Sequence, residues 1–182
     1  MRTLLLFLIA LASWLVSACS TTPQTRSTYL LRSESQHESG PLQVGNEYLG
    51  DVKVASYIDQ SGLVLELADG VVHVAKQHHW AEPLRTSLRE LLSVEIAAAT
   101  GRSLGVPAKD GTRVEVKVSQ LHGDADGNAV LIAQWGLSST EMTQAYQFNQ
   151  NLAFEGTGYE ALVAAERALL IQLARAIAAE LK

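Results

Sequence analysis

From Thr112 to Leu121 the chain reads TRVEVKVSQL, with Val114, Val116 and Val118 alternating with Arg113, Glu115 and Lys117. That period of two predicts a strand with one wet face. Val52 and Val54 alternate with Asp51 and Lys53 in the same way within Tyr48 to Ile58, and a short strand is expected earlier, over Thr28 to Arg32. The polar loop SESQHESGP follows that first strand. LVLEL (Leu63 to Leu67) and VVHVA (Val71 to Ala75) flank Ala68-Asp69-Gly70, a hairpin signal because glycine tolerates positive φ. Leu84, Leu88, Leu91, Leu92 and Ile96 then recur at helical spacing, with Pro83 suited to the first turn and Gly101 to the stop. After the strand at Thr112, GDADGN turns the chain into Ala129 to Leu137. Thr143 to Phe154 sets Tyr146, Phe148, Leu152 and Phe154 opposite Gln147, Asn149 and Asn151. A closing helix is expected from Thr157 and Glu160, at capping-box spacing, with Leu162, Leu169, Leu170, Leu173 and Ile177 as its buried stripe. Strands, helix, three strands, helix: the order predicts a single α+β domain, its sheet largely antiparallel or mixed, with two main α-helices packed on it.

A different pattern precedes all this. Arg2 and the apolar run from Leu4 to Val16 have the form of a secretory signal, too short to span a bilayer with ease. Ser17 and Ala18 supply small residues before Cys19, the one cysteine of the chain. Val16-Ser17-Ala18-Cys19 resembles the bacterial lipobox, which implies cleavage after residue 18 and acylation of Cys19. The alternatives are an ordinary signal peptide or an uncleaved anchor with an incidental thiol. Several acyl chains hold a protein on a bilayer where one holds marginally, so Cys19 predicts a protein anchored to the membrane. By resemblance, Ser20 in place of aspartate points to the outer membrane. The division expected is a signal peptide over 1–18, a lipidated flexible tether over 19–27 and a folded domain over 28–182, with STTPQTRST (Ser20 to Thr28) lacking apolar periodicity.

Composition narrows the function. Loss of residues 1–18 removes Arg2 and no acid, so 14 Lys+Arg become 13 against 19 Asp+Glu, a net charge of −6. That argues against a nucleic-acid partner, which needs a basic face. Candidate chemistry is sparse. His78, His79 and Glu82 are metal-ligand types, yet neighbouring residues diverge, and a surface turn entering the helix is the expected setting. His37, His73 and His122 are scattered and read as surface or strand-edge residues. G-x-S-x-G and phosphate-loop motifs are absent, and Gly156 to Tyr159 reads as a capped loop. No catalytic residue, metal or cofactor is assigned. Trp80 either packs the helix start against the sheet or anchors an interface. The Gln147, Asn149, Asn151 face is either wet or a subunit contact.

The lipobox, the early Tyr29-Leu30-Leu31, YIDQSGLVLEL from Tyr57, HHWAEPLRTSLRELL from His78 and the final Ala/Leu-rich helix together resemble the PqiC-type ABC-transport auxiliary lipoproteins, also called the YmbA family. The most specific parts are Tyr57-Ile58-Asp59 and Trp80-Ala81-Glu82-Pro83-Leu84, although the family often has arginine where His79 stands. The resemblance implies a non-catalytic, periplasm-facing subunit of a lipid-transport system on the outer membrane. It implies ring-like homo-oligomers and a PqiB-like MCE-domain partner that forms a conduit, with Trp80, Glu82 and Pro83 as the candidate interface or helix-start motif. Competing readings are an assembly chaperone for envelope machinery and a lipid-anchored hydrolase using His78, His79 and Glu82.

Overall fold

The computed structural model describes residues 25–33, 42–68 and 70–181. Cys19, the adjoining residues 20–24, His37 and Asp69 lie outside them. Eleven elements follow in order: β1 (Ser27–Tyr29), β2 (Gln43–Val44), β3 (Glu47–Val54), β4 (Gly62–Ala68), β5 (Val71–Trp80), α1 (Leu84–Thr100), β6 (Arg102–Ser103), β7 (Thr112–Gly123), β8 (Asn128–Ser138), β9 (Thr143–Ala153) and α2 (Tyr159–Ala179). Seven strands form one mixed sheet in the order β1-β5-β4-β7-β8-β9, with β3 also on β7. The β4–β5, β7–β8 and β8–β9 pairs are antiparallel, whereas β1–β5, β3–β7 and β4–β7 are parallel. The expected α+β domain with two main helices is what forms.

Strand β7 organises the sheet. One of its edges is paired with β8 from Arg113 to Gly123. The other is shared: β3 takes Thr112 to Val118, and β4 meets it only at Leu65–Gly123. Between these partners sits the turn that follows β3, tied by the Ala55 N–H to the Val118 carbonyl at 2.9 Å. Both helices lie on the same side, α1 against α2 and β3, α2 against β8 and β9. The predicted stripes, Leu84, Leu88, Leu91, Leu92 and Ile96 on α1 and Leu162, Leu169, Leu170, Leu173 and Ile177 on α2, are all buried. They meet Val114, Val116 and Val118 of β7 and Ala129, Leu131, Ala133, Trp135 and Leu137 of β8. The opposite sheet face carries the exposed Glu115, Lys117, Gln134 and Gln147.

Several expectations are revised. Strand β5 continues to Trp80, so His78 and His79 belong to a strand and not to a turn entering the helix. The cause is β1, whose Ser27, Thr28 and Tyr29 pair with His78, His79 and Trp80 and extend that half of the hairpin. Strand β3 stops at Val54, which leaves Tyr57 and Ile58 in the turn. Pro83 stands just before α1 as its N-cap. The capping box of Thr157 and Glu160 does not form: Gly158, at φ +85°, takes the cap position one residue later and no side chain caps the helix. The turn glycines behave as read, with Gly70 at φ +82° and Gly101 at φ +72°.

Candidate functional site

The two motifs singled out in the sequence meet across one shallow cleft of about 400 Å³, walled by the 59–61 turn and the 80–84 segment. On the first wall, the Ile58 and Asp59 N–H groups both return to the Ala55 carbonyl, at 3.1 and 3.2 Å. This tight turn drives Ile58, 1% exposed, into the core and aims Asp59 outward. Asp59 accepts from Arg85 of α1 at 3.0 Å from Nε and 2.5 Å from Nη2. The Arg85 hydrogen bond holds the Asp59 carboxyl below its ordinary value, since the fork favours the ionised form.

The second wall is fixed by backbone. The Trp80 N–H donates to the Ser61 carbonyl at 2.7 Å, and the Ala81 N–H donates to that of Tyr29 at 2.8 Å. The Trp80 ring joins the core at 8% exposure, so of its two sequence readings packing is the one realised here. Glu82 accepts from Arg32 Nη2 at 2.5 Å and from the Ser87 hydroxyl at 3.3 Å. Its carboxyl is lowered chiefly by that arginine hydrogen bond. The Pro83 carbonyl receives the Thr86 and Ser87 N–H groups and so starts α1.

His78, His79 and Glu82 are not brought together. The His78 ring stacks on Tyr159 with centroids 4.1 Å apart and bonds the Tyr29 hydroxyl at 2.8 Å, while His79 faces Ser61 Oγ and the Lys76 carbonyl. The charges lining the cleft are matched within the molecule, arginine to carboxylate. What the cleft offers is a rigid outline that joins turn, sheet and helix, with backbone and arginine forks setting its shape.

A family model described as the ABC-type transport auxiliary lipoprotein component matches residues 29–178. The chain belongs to this family. Both walls of the cleft fall inside the match. No curated protein matches the chain. Among solved structures, this auxiliary lipoprotein is similar to an uncharacterised protein at 24% identity and a TM-score of 0.77, over 87% of this chain and 99% of that one. It is similar also to a Xanthomonas campestris protein assigned to DUF330, at 16% identity and a TM-score of 0.59, over 85% and 90% of the two chains. Both likenesses concern the fold.

A second polar cluster in the auxiliary lipoprotein went unread in the sequence. His122, taken there for a surface or strand-edge residue, is 3% exposed. Its Nδ1 pairs with the Tyr57 hydroxyl at 2.8 Å and its Nε2 with Glu66 Oε2 at 3.2 Å. The register slips between Val118 and Gln120, so Leu121 and His122 are both covered, and Tyr57 closes the stretch of β7 between its two partners. Burial lowers His122 and pushes the Tyr57 phenol up to about 12. A cue existed: the apolar parity changes from Val114, Val116, Val118 to Leu121, the mark of a bulge. Glu166 and Glu95 were also missed, though each sits at stripe spacing on its helix, Glu166 four after Leu162 and Glu95 four after Leu91. Both are buried; Glu95 accepts the Ser33 hydroxyl, and burial pushes Glu166 up to about 8.

Proposed function

We propose that this auxiliary lipoprotein is the outer-membrane-anchored, periplasm-facing subunit of an MCE-type intermembrane lipid transport system, docking the tip of the conduit and assembling as a homo-oligomeric ring. The observation that carries the reading is the family match over residues 29–178, ten residues beyond a lipobox whose Cys19 supplies the anchor. Other features agree with it. The acidic charge balance argues against a nucleic-acid role, and the carboxylates lining the motif cleft are held by arginines in a way that suits a docking surface. The eleven-residue β9, with β8 on one side and no strand among the described residues on the other, gives copies a backbone edge along which to join.

The test uses residues 25–182, because Ser27 is already paired in β1 and a fragment begun later would cut that strand. Sedimentation at tens of micromolar, with and without the periplasmic domain of an MCE protein, is expected to show an oligomer and its complex. A strictly monomeric profile that binds no such domain sinks the reading. In cells, Cys19→Ala is expected to abolish lipid incorporation while the domain still folds.

A further inference from the structure

The β4–β5 hairpin carries exposed aliphatic side chains on both sides of its turn, whose sequence Ala68-Asp69-Gly70 includes one acid. Leu67 is 50% exposed, Val71 59% and Val72 42%, three aliphatic side chains around one turn that nothing among the described residues covers. Scattered apolar residues on a surface are ordinary, but three on a single protruding turn call for a partner. The tip lies beyond the one bridge joining β4 to β7, Leu65–Gly123.

The course of the N-terminal chain says what that partner is. Strand β1 runs parallel to β5, with Ser27 opposite His78. The chain therefore enters β1 from the side of β5 on which Val71 lies. From Thr25 back to Cys19 there are six residue steps, a span of at most ~20 Å. From the level of Lys76 to Val71 along β5 is about 17 Å at the usual strand rise. The hairpin tip thus lies within the distance that the tether to acylated Cys19 can span. Other exposed aliphatics lie elsewhere: Leu30, at 50%, directly follows β1, and Val44 at 73% and Val106 at 80% sit by the opposite end of β7, where the Gly105 N–H bonds the Glu47 carbonyl and Glu47 pairs with Thr112.

We infer that the β4–β5 tip, through Leu67, Val71 and Val72, rests in the interfacial layer of the bilayer that anchors the chain, fixing which end of the domain faces the membrane. The surface it fits is zwitterionic, because Glu66 of β4 and Asp124 and Asp126 of the β7–β8 turn stand at the same end and repel anionic headgroups. The inference rests on the anchored-lipoprotein reading. It adds a second, reversible contact to the covalent one and leaves the Val44 and Val106 end free for periplasmic partners.

Acylated Cys19 has no free thiol, and no other cysteine is present, so an introduced one is labelled alone. Full-length lipidated protein carrying Val71→Cys, or Val106→Cys as the control, is labelled with nitrobenzoxadiazole. It is reconstituted on vesicles of phosphatidylethanolamine and phosphatidylcholine containing nitroxide-labelled lipid. Flotation is measured first, then quenching. The expected result is floating protein whose label at 71 is blue-shifted and quenched several-fold more than the label at 106, with Leu67→Ser and Val72→Ser together bringing the first toward the second. Floating protein with both labels quenched alike overturns the tip contact. Quenching at 71 that appears only after an MCE periplasmic domain is added assigns the tip to that protein and overturns it too. Protein that does not float removes the anchored reading beneath it.

Discussion

At the scale of single residues, the auxiliary lipoprotein keeps ionisable groups where ordinary packing would place apolar ones, and Glu166 is the clearest. It is 1% exposed on the apolar stripe of α2, and among the described residues its Oε2 has no hydrogen-bond partner. Burial raises its carboxyl from 4.5 to about 8, so it is held neutral at pH 7. Below pH 4.5 the folded and unfolded chains both carry the proton. Between 4.5 and about 8 only the unfolded chain loses it, and stability falls as pH rises. Each unit of separation corresponds to about 1.4 kcal/mol. Glu166→Gln is therefore expected to match the parent near the lower end of that window and to exceed it by a few kcal/mol at the upper end, read from urea midpoints. A gap that does not widen with pH would count against a buried neutral acid. His122 acts in the other direction: with its pKa lowered from 6.5, its contribution is lost as pH falls, because the unfolded imidazole takes up a proton first.

At the scale of elements, β9 is the unguarded part of the sheet. It pairs with β8 in unbroken register from Asn128–Ala153 to Ser138–Thr143, and among the described residues no strand lies on its other side. Its sequence, TQAYQFNQNLA, contains no charge and no proline, the two common means of blunting an edge. Lysine at both Gln147 and Asn149 is expected to weaken self-association of the domain without lowering its melting temperature appreciably, since both side chains are exposed. Sedimentation beside a thermal melt separates the two effects, and undiminished association would place the seam elsewhere. The periodicity of β9 was plain in the sequence, as was that of β7 and both helices. Each turns one face toward the core, fully buried on β7 and the helices and half-buried on β9, and the local pattern reports that. What stayed hidden was non-local. Nothing near Ser27 foretells its parallel pairing with His78, and β2 and β6, two residues each, exist only because they pair with one another. The cleft was legible as two motifs but not as one place, since Asp59 and Arg85 are joined by the fold and not by spacing.

At the scale of the whole molecule, the sheet has a thin point. The β1-β5-β4 side is joined to β7 by the single Leu65–Gly123 bridge, whereas the β7–β8 and β8–β9 ladders run for most of their length. If ladders alone held the domain, its two sides would melt apart. The core argues against that: Leu63, Val64, Ala75 and Trp80 from the thin side join the same buried cluster as α1, α2 and β8. The described residues hold two tryptophans, Trp80 on β5 and Trp135 on β8, one reporter for each side. Trp80→Phe and Trp135→Phe variants, each followed by its remaining tryptophan, are expected to show fluorescence transitions that coincide with the circular-dichroism transition of the same variant. Gly123→Ala then probes the joint itself. A Cβ there would stand 2.6 Å from Leu65 Cδ2 and 3.1 Å from Leu162 Cδ1, so the Leu65 and Leu162 side chains must both shift. Overpacking of this kind costs about 1–3 kcal/mol. Because the two sides share one core, that loss is expected to lower both tryptophan transitions together. A variant in which the Trp80 signal melts first, with Trp135 unmoved, would show that the β1-β5-β4 side folds as its own unit and that the shared core couples it weakly.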